Sequence, residues 1–465
     1  MAVLATGCGG SSGSSGSSAG GSSGSLTWWD HFSSFKKLND NWASTETKAL
    51  GTTVTHTYYD ASKAPEAFQL AHQANKLPDV YSNVIGLPLP ALVDGNWVHE
   101  LQLPSDTMAK LPKNVLTEGI TSVGNKLYGF PLFSFRQRTG LIWFNKDHFT
   151  KAGLDPANPP TSYSEIKDAC NKLKGAGIVP LTMALGADGS RVGDETDDMA
   201  QVAGFPGYQG LRFDTGQYDY QHDSYVQVIE FLKELSDAKY LLPGTNNMGV
   251  VDSRTRFASG STGLYFDGIW CAGGCKALVP AFADKIGSGT TPKPDSAQNN
   301  WTYRGRPSAS YFVSAGSKNP DQASKLIASF MDDAYQKGMI AAMDQPPLNL
   351  DLVSSSDALD AYKSVVTFCK DHVFLMPQAI VRNPDVSKAE AKRKPVTPTI
   401  GNIVQGYLGG SISDLKGALK KLSDARQADL ESAVKSAQSE GAKVSLDDYA
   451  FKDWKPGQDY QASAS

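Results

Sequence analysis

Between residues 26 and 83 the chain alternates between two hydrophobic periods, and this limits the fold more than any other feature. Leu26-Thr27-Trp28-Trp29 is a short apolar run that ends at Asp30-His31. A helical stretch follows from about Ser33 to Lys48. Thr53-Val54-Thr55-His56-Thr57-Tyr58-Tyr59 is β-branched and aromatic, as strands are, and ends at Asp60. From Ser62 to Lys76, Ala67, Phe68, Ala71 and Ala74 recur at helical spacing. Pro78-Asp79-Val80-Tyr81-Ser82-Asn83 then opens a third strand. Strand, helix, strand, helix, strand predicts a mostly parallel sheet of the α/β class. Ligands of such sheets collect at the carboxyl ends of the strands. That rule nominates Asp30, His31, Asp60 and Asn83, each of which can equally serve as a helix cap or turn residue.

Other function classes recede on composition. Lys and Arg number 44 against 48 Asp and Glu, a net charge of −4. Nucleic acid is not an expected partner, because phosphate binding needs a basic surface. No run of 18 uncharged apolar residues is present to span a membrane as a helix. The 7 His include no H-E-x-x-H or similar pair, so neither a metal nor another cofactor is expected. The acidic run Asp194-Glu195-Thr196-Asp197-Asp198 fails the calcium-loop pattern, since Val192 and Met199 stand where oxygen ligands are required. It reads as a solvated loop, and no catalytic role is expected. Near the C-terminus, Leu415, Leu419, Leu422, Leu430 and Val434 form an interrupted apolar stripe, with Ser413 as its expected cap.

The motifs that follow are individually short but fall in a fixed order. Pro78-Asp79-Val80 is followed by Leu127-Tyr128-Gly129-Phe130-Pro131 and by Leu141-Ile142-Trp143-Phe144-Asn145-Lys146-Asp147. Next come Lys151-Ala152-Gly153-Leu154-Asp155 and the run Pro159 to Ile166. Phe257-Ala258-Ser259-Gly260-Ser261-Thr262-Gly263-Leu264 runs into Gly268-Ile269-Trp270. Val313 to Pro320, with Ala323, closes the series. In order and spacing this resembles the extracellular solute-binding proteins of ABC importers, in the branch that includes the maltose-binding protein. The resemblance implies a two-lobe α/β fold with a hinged ligand cleft. Residues 26–134 and 309–345 would form the first lobe, and 140–308 and 350–440 the second. Hinges would fall near Phe133–Thr139, Ser308–Ser310 and Pro346–Asn349, with 441–465 as a tail packed on the body. It also implies a monomer that captures a carbohydrate and delivers it to a membrane permease. A binder of a non-sugar solute, an exported carbohydrate-active enzyme and a scaffold that only uses the lobes remain open.

Trp270 stands where the sugar-binding branch places a stacking ring. A ring covers the apolar face of a pyranose, while hydroxyls need polar partners. Asp30, His31, Asp60 and Asn83 would supply those partners, and Arg136 or Arg138 would add donors across the hinge. The start of the chain fits the same setting. Leu4-Ala5-Thr6-Gly7-Cys8 resembles a bacterial lipobox, which implies lipid on Cys8 and attachment to the extracellular face of the membrane. The Gly/Ser tract 9–25 that follows would be a flexible tether, or an added linker. With Cys8 lipidated, Cys170, Cys271, Cys275 and Cys369 remain. A local Cys271–Cys275 bridge would leave Cys170 and Cys369 to pair, while buried free thiols are the alternative.

Overall fold

The computed structural model describes residues 24–60, 63–112, 115–186 and 189–461. The strands that build the site are, in chain order, β1 (Leu26–Asp30), β2 (Val54–Tyr58), β3 (Val80–Ser82), β4 (Val98–His99), β5 (Gly129–Phe130), β6 (Leu141–Asn145), β7 (Leu181–Thr182), β8 (Leu264–Asp267), β9 (Ile286–Ser288), β10 (Thr302–Arg304), β11 (Tyr311–Ser314) and β12 (Val373–Leu375). The helices used below are α1 (Lys36–Leu50), α2 (Ala64–Gln73), α3 (Ser190–Val202), α4 (Cys271–Leu278), α5 (Asp333–Ala342) and α6 (Leu415–Ser439).

The α/β expectation holds, and the chain forms two lobes. In the first, the sheet order is β2-β1-β3-β11-β4, with β5 also paired to β11. β1 runs parallel to β2 and to β3, so their carboxyl ends share one edge. β11 arrives from more than two hundred residues downstream and pairs antiparallel with β3. Burial alternates along β1: Leu26, Trp28 and Asp30 are buried, Thr27 and Trp29 only partly. The second lobe is built on the sheet β9-β6-β8-β7. All five residues of β6 are buried, as a central strand covered on both faces requires.

The chain passes between the lobes three times, at 131–140, 305–310 and 343–349. These crossovers are tied to one another. Ser134 N–H donates to Pro346 O at 3.0 Å, and Ser310 N–H to Phe130 O at 2.7 Å. Leu132 N–H donates to Ser310 Oγ at 3.1 Å. Beyond β12 the chain returns to them: Tyr460 N–H donates to Leu375 O at 2.8 Å, and Trp454 packs edge-on against Phe213 and Tyr303 with centroids 5.1 Å away.

Several expectations need correction. The stretch from Ser33 begins as a short 3-10 turn, Ser33–Phe35, before α1. α6 is capped by Asp414, whose carboxylate accepts from Gly417 N–H, rather than by Ser413. The acidic run is no loop. It lies on α3, where Glu195, Asp197 and Asp198 are buried. Its carboxylates meet donors from distant segments, which no local reading supplies. Asp198 accepts from Thr139 N–H at 2.6 Å and Gly140 N–H at 3.0 Å and pairs with Arg304. Asp197 accepts from Tyr225 OH and from Gln209 N–H, and burial pushes its carboxyl up to about 7. Neither expected disulfide is present. Cys170, Cys271, Cys275 and Cys369 are free, buried thiols. Cys271 and Cys275 sit one turn apart on α4 with sulfurs 3.7 Å apart, and Cys170 and Cys369 belong to different cores. Cys8 and the tract as far as residue 23 lie outside the described residues.

Candidate functional site

At the first-lobe edge, the ends of β1, β2 and β3 bring His31, Asp60 and Asn83 to the same side of the sheet. His31 Nδ1 lies 2.7 Å from Ser82 Oγ, and its ring packs on Phe32 with centroids 4.2 Å apart. Burial holds its imidazole below the ordinary histidine value, against the pull of Asp30. Asp60 is exposed, and its carbonyl accepts from Lys63 and Ala64 N–H at the entry to α2. Asn83 turns its amide away from solvent: Nδ2 donates to Ala309 O at 2.9 Å, which ties β3 to the second crossover.

Asp30 is not available to a ligand. It is fully buried, accepts from Asn39 Nδ2 and from Tyr311 OH at 3.1 Å, and caps Phe32 N–H at 3.2 Å. His56 Nε2 sits 3.1 Å from it, and His56 Nδ1 2.8 Å from Asp40. Burial works to lower His56, but the two carboxylates outweigh it and hold the imidazole above its ordinary value. Arg138 is likewise interior. It donates to Thr291 Oγ1, to Asn300 Oδ1 and O, and to His372 O, and burial lowers it to about 10. Arg136 faces a cavity of about 520 Å³ at the hinge, paired with Asp459 at 2.7 Å and donating to Val373 O. Of the two arginines, neither stands beside Trp270.

The second-lobe edge is built around the end of β8. Asp267, fully buried, accepts from Arg254 Nε at 2.9 Å and Nη2 at 2.7 Å through one oxygen. The other oxygen accepts from Gly268 N–H at 2.8 Å and from Trp270 Nε1 at 3.0 Å. The indole is therefore fixed by its own strand. It lies on Gly268, where a Cβ would come within 2.2 Å of Cζ2, so only glycine fits. The Arg191 guanidinium sits over the Trp270 ring, 4.8 Å from its centroid, and reaches Asp267 Oδ1 only at 4.0 Å. One turn further along α3, Glu195 is fully buried, and among the described residues neither carboxyl oxygen has a hydrogen-bond partner. Burial drives its carboxyl far above the usual range, with Arg191 opposing.

The two edges meet. α4, which starts directly after Trp270, packs against the Ser33–Phe35 turn that follows β1. Gly273 approaches the end of α5 so closely that a Cβ would lie 2.0 Å from Ala342 O. Asp344 takes a hydrogen bond from Ser34 while lying beside Arg254 and Asp267, and burial raises its carboxyl. The segment that follows Trp270 thus lies against the turn after β1. The sequence nominated Trp270 but not its surroundings: Asp267 and Arg191 touch the ring, with Arg254 and Glu195 behind them. Asp267, directly before the Gly268-Ile269-Trp270 motif, was the one with a local signal.

Two α/β lobes, three crossovers and facing edges at the strand ends define a hinged binding protein. The chain belongs to the bacterial extracellular solute-binding protein family, which its residues 41–365 match. Short segments resemble sn-glycerol-3-phosphate-binding periplasmic proteins. The Shigella flexneri protein is 46% identical over 44 residues, 10% of each chain. The Brucella abortus protein is 35% identical over 72 residues, 15% of this chain and 17% of that one. The matched segments therefore span less than a fifth of these relatives. Whole-chain likeness is in the fold. A Thermotoga lettingae ABC transporter solute-binding protein bound with α-D-tagatose has a TM-score of 0.65 at 18% identity, covering 87% of this chain and 99% of that one. The Thermus thermophilus maltotriose-binding protein gives 0.64 at 17% identity, with coverage of 87% and 99%. The GacH receptor of Streptomyces glaucescens, solved also with acarbose, gives 0.65 at 18%, with 88% and 98%.

Proposed function

We propose that the protein captures a carbohydrate between its lobes outside the cell and hands it to the membrane permease of an ABC importer. It does so as a monomer, tethered by lipid on Cys8 at the extracellular face of the membrane. Trp270 is the observation that supports this most. Its ring is held at the second-lobe edge by Asp267, and the helix that follows it packs against the turn after β1. A fixed aromatic suits the C–H face of a sugar, and His31 and Asp60, at the strand ends of the first lobe, would meet its hydroxyls. The sugars named for the structures of similar fold agree with this.

A phosphorylated polyol is the second reading. It is favoured by the glycerol-3-phosphate-binding relatives and by the guanidinium of Arg191 beside Trp270. A thermal-shift panel separates the two: tagatose, raffinose, maltotriose and a chitin oligosaccharide against glycerol 3-phosphate. A ligand that binds only the folded state raises the melting temperature. A rise with a sugar and none with glycerol 3-phosphate supports the first reading, and the reverse supports the second. The bound sugar should be recovered unchanged after long incubation, and a cleaved product would make the protein an enzyme.

A further inference from the structure

Two groups crowd the Trp270 ring. Gly268 lies beneath it at a distance that excludes even a Cβ, and Arg191 lies over it, 4.8 Å from the ring centroid. A ligand that stacks on the face under Arg191 must displace it, and no ring fits between Trp270 and the Gly268 backbone. Among the described residues the arginine has few holds: its Nε has no hydrogen-bond partner, and Asp267, already engaged by Arg254, Gly268 and Trp270, is 4.0 Å away. A second berth stands one helical turn along. Residues four apart on a helix are neighbours, so the Arg191 side chain reaches Glu195 by changing rotamers, with α3 unmoved. Glu195 has two unpartnered oxygens in a fully buried carboxyl, an arrangement that costs free energy until a donor arrives.

We infer that Arg191 is a positioning residue with two berths: it covers Trp270 in the empty protein and moves onto Glu195 when a ligand ring takes its place. This rests on the reading of Trp270 as the stacking platform. The groups facing Glu195 are Arg191, Asp194 and Asp198 from its own helix and Asp267 and Tyr265 from β8. Of these only Arg191 is a cation. In the first berth the Glu195 carboxyl keeps its proton. In the second, its O–H bond breaks, the proton passes to water, and carboxylate and guanidinium pair. Ligand capture then releases a proton, and the site closes over an ion pair that the empty protein lacks.

The inference is tested without knowing the ligand, by a double-mutant cycle on the full chain. Trp270→Ala removes the first berth and sends Arg191 to Glu195. Glu195→Gln should shift the melting temperature of the parent by less than about 2 °C, because no hydrogen bond is lost. In the Trp270→Ala background it should lower it by about 4 °C or more, because the pair is lost. Trp270→Leu, which keeps more apolar volume, should give the same coupling if the alanine variant folds poorly. The pH dependence is a second measurement. A carboxyl raised by folding contributes stability below its ordinary value of about 4.3, and that stability is lost as pH rises toward the folded value. This loss should be present in the parent and absent in both Glu195→Gln and Trp270→Ala. Additive effects of Trp270 and Glu195, or an unchanged pH profile in Trp270→Ala, would overturn the two-berth inference. Failure of the stacking platform itself is read separately, as sugar affinity that Trp270→Ala leaves unchanged.

Discussion

Asp198 and Glu195 are three residues apart on α3, both fully buried, and neutralising them should have opposite consequences. Asp198 holds the lobe-2 ends of two crossovers. It accepts from Thr139 and Gly140 N–H on the first and pairs with Arg304, which leads into the second. Arg304 is largely buried, its side chain 14% exposed, and although burial works to lower it, Asp198 holds it above its ordinary value. In Asp198→Asn the Arg304 charge loses its counter-charge in the interior. Breaking a buried pair by removing one partner costs about 3–5 kcal/mol. The amide can keep its oxygen on Thr139 and Gly140 N–H, which share one acceptor, but its NH2 then meets Arg304 donor to donor. Glu195→Gln breaks no hydrogen bond and should stay within about 1 kcal/mol. Urea unfolding of each variant reads this directly. The midpoint of Asp198→Asn should fall well below the parent at an unchanged m-value, while that of Glu195→Gln stays close to it. Equal midpoints for the two variants would refute the reasoning, because they would mean that burial alone, and not the partners, sets the worth of these carboxyls.

Three further outcomes are expected. Trp270→Ala should weaken affinity for a sugar found by the thermal-shift panel by roughly 5- to 150-fold, while stability falls much less than the ~3–5 kcal/mol of a core Trp→Ala; equilibrium titration with parallel melting curves checks both. His56 is raised by folding, so its contribution should be full below its ordinary value of about 6.5 and lost as pH rises through the folded value; urea midpoints from pH 6 to 9 should decline in the parent and decline less in His56→Gln. Thiol labelling of unreduced protein should modify none of Cys170, Cys271, Cys275 and Cys369 when native and all four when denatured, and a reagent-resistant pair in the denatured state would mean a bridge after all.

The order of elements from β1 to β3 was legible because each is written in its own local period. The partner of β3 was not, since β11 lies more than two hundred residues away and carries no mark of its neighbour. The strand-end rule brought Asp30 to the correct edge. It could not see Asn39, His56 and Tyr311 closing around that carboxylate. The acidic run misled for the same reason: consecutive charges read as solvated unless the donors from Thr139, Gly140 and Arg304 are in view. Trp270 was found through the family resemblance, whereas Arg191, 79 residues earlier, has no sequence tie to it.

The hydrogen bonds that join the crossovers side by side have a mechanical consequence. Strands laced into a narrow ribbon behave as a flexure: they bend across their thin direction and resist shear along their length. A single tether would let the lobes meet at many angles. Crossovers joined side by side would hold any movement of one lobe against the other to a narrower arc than a single tether allows.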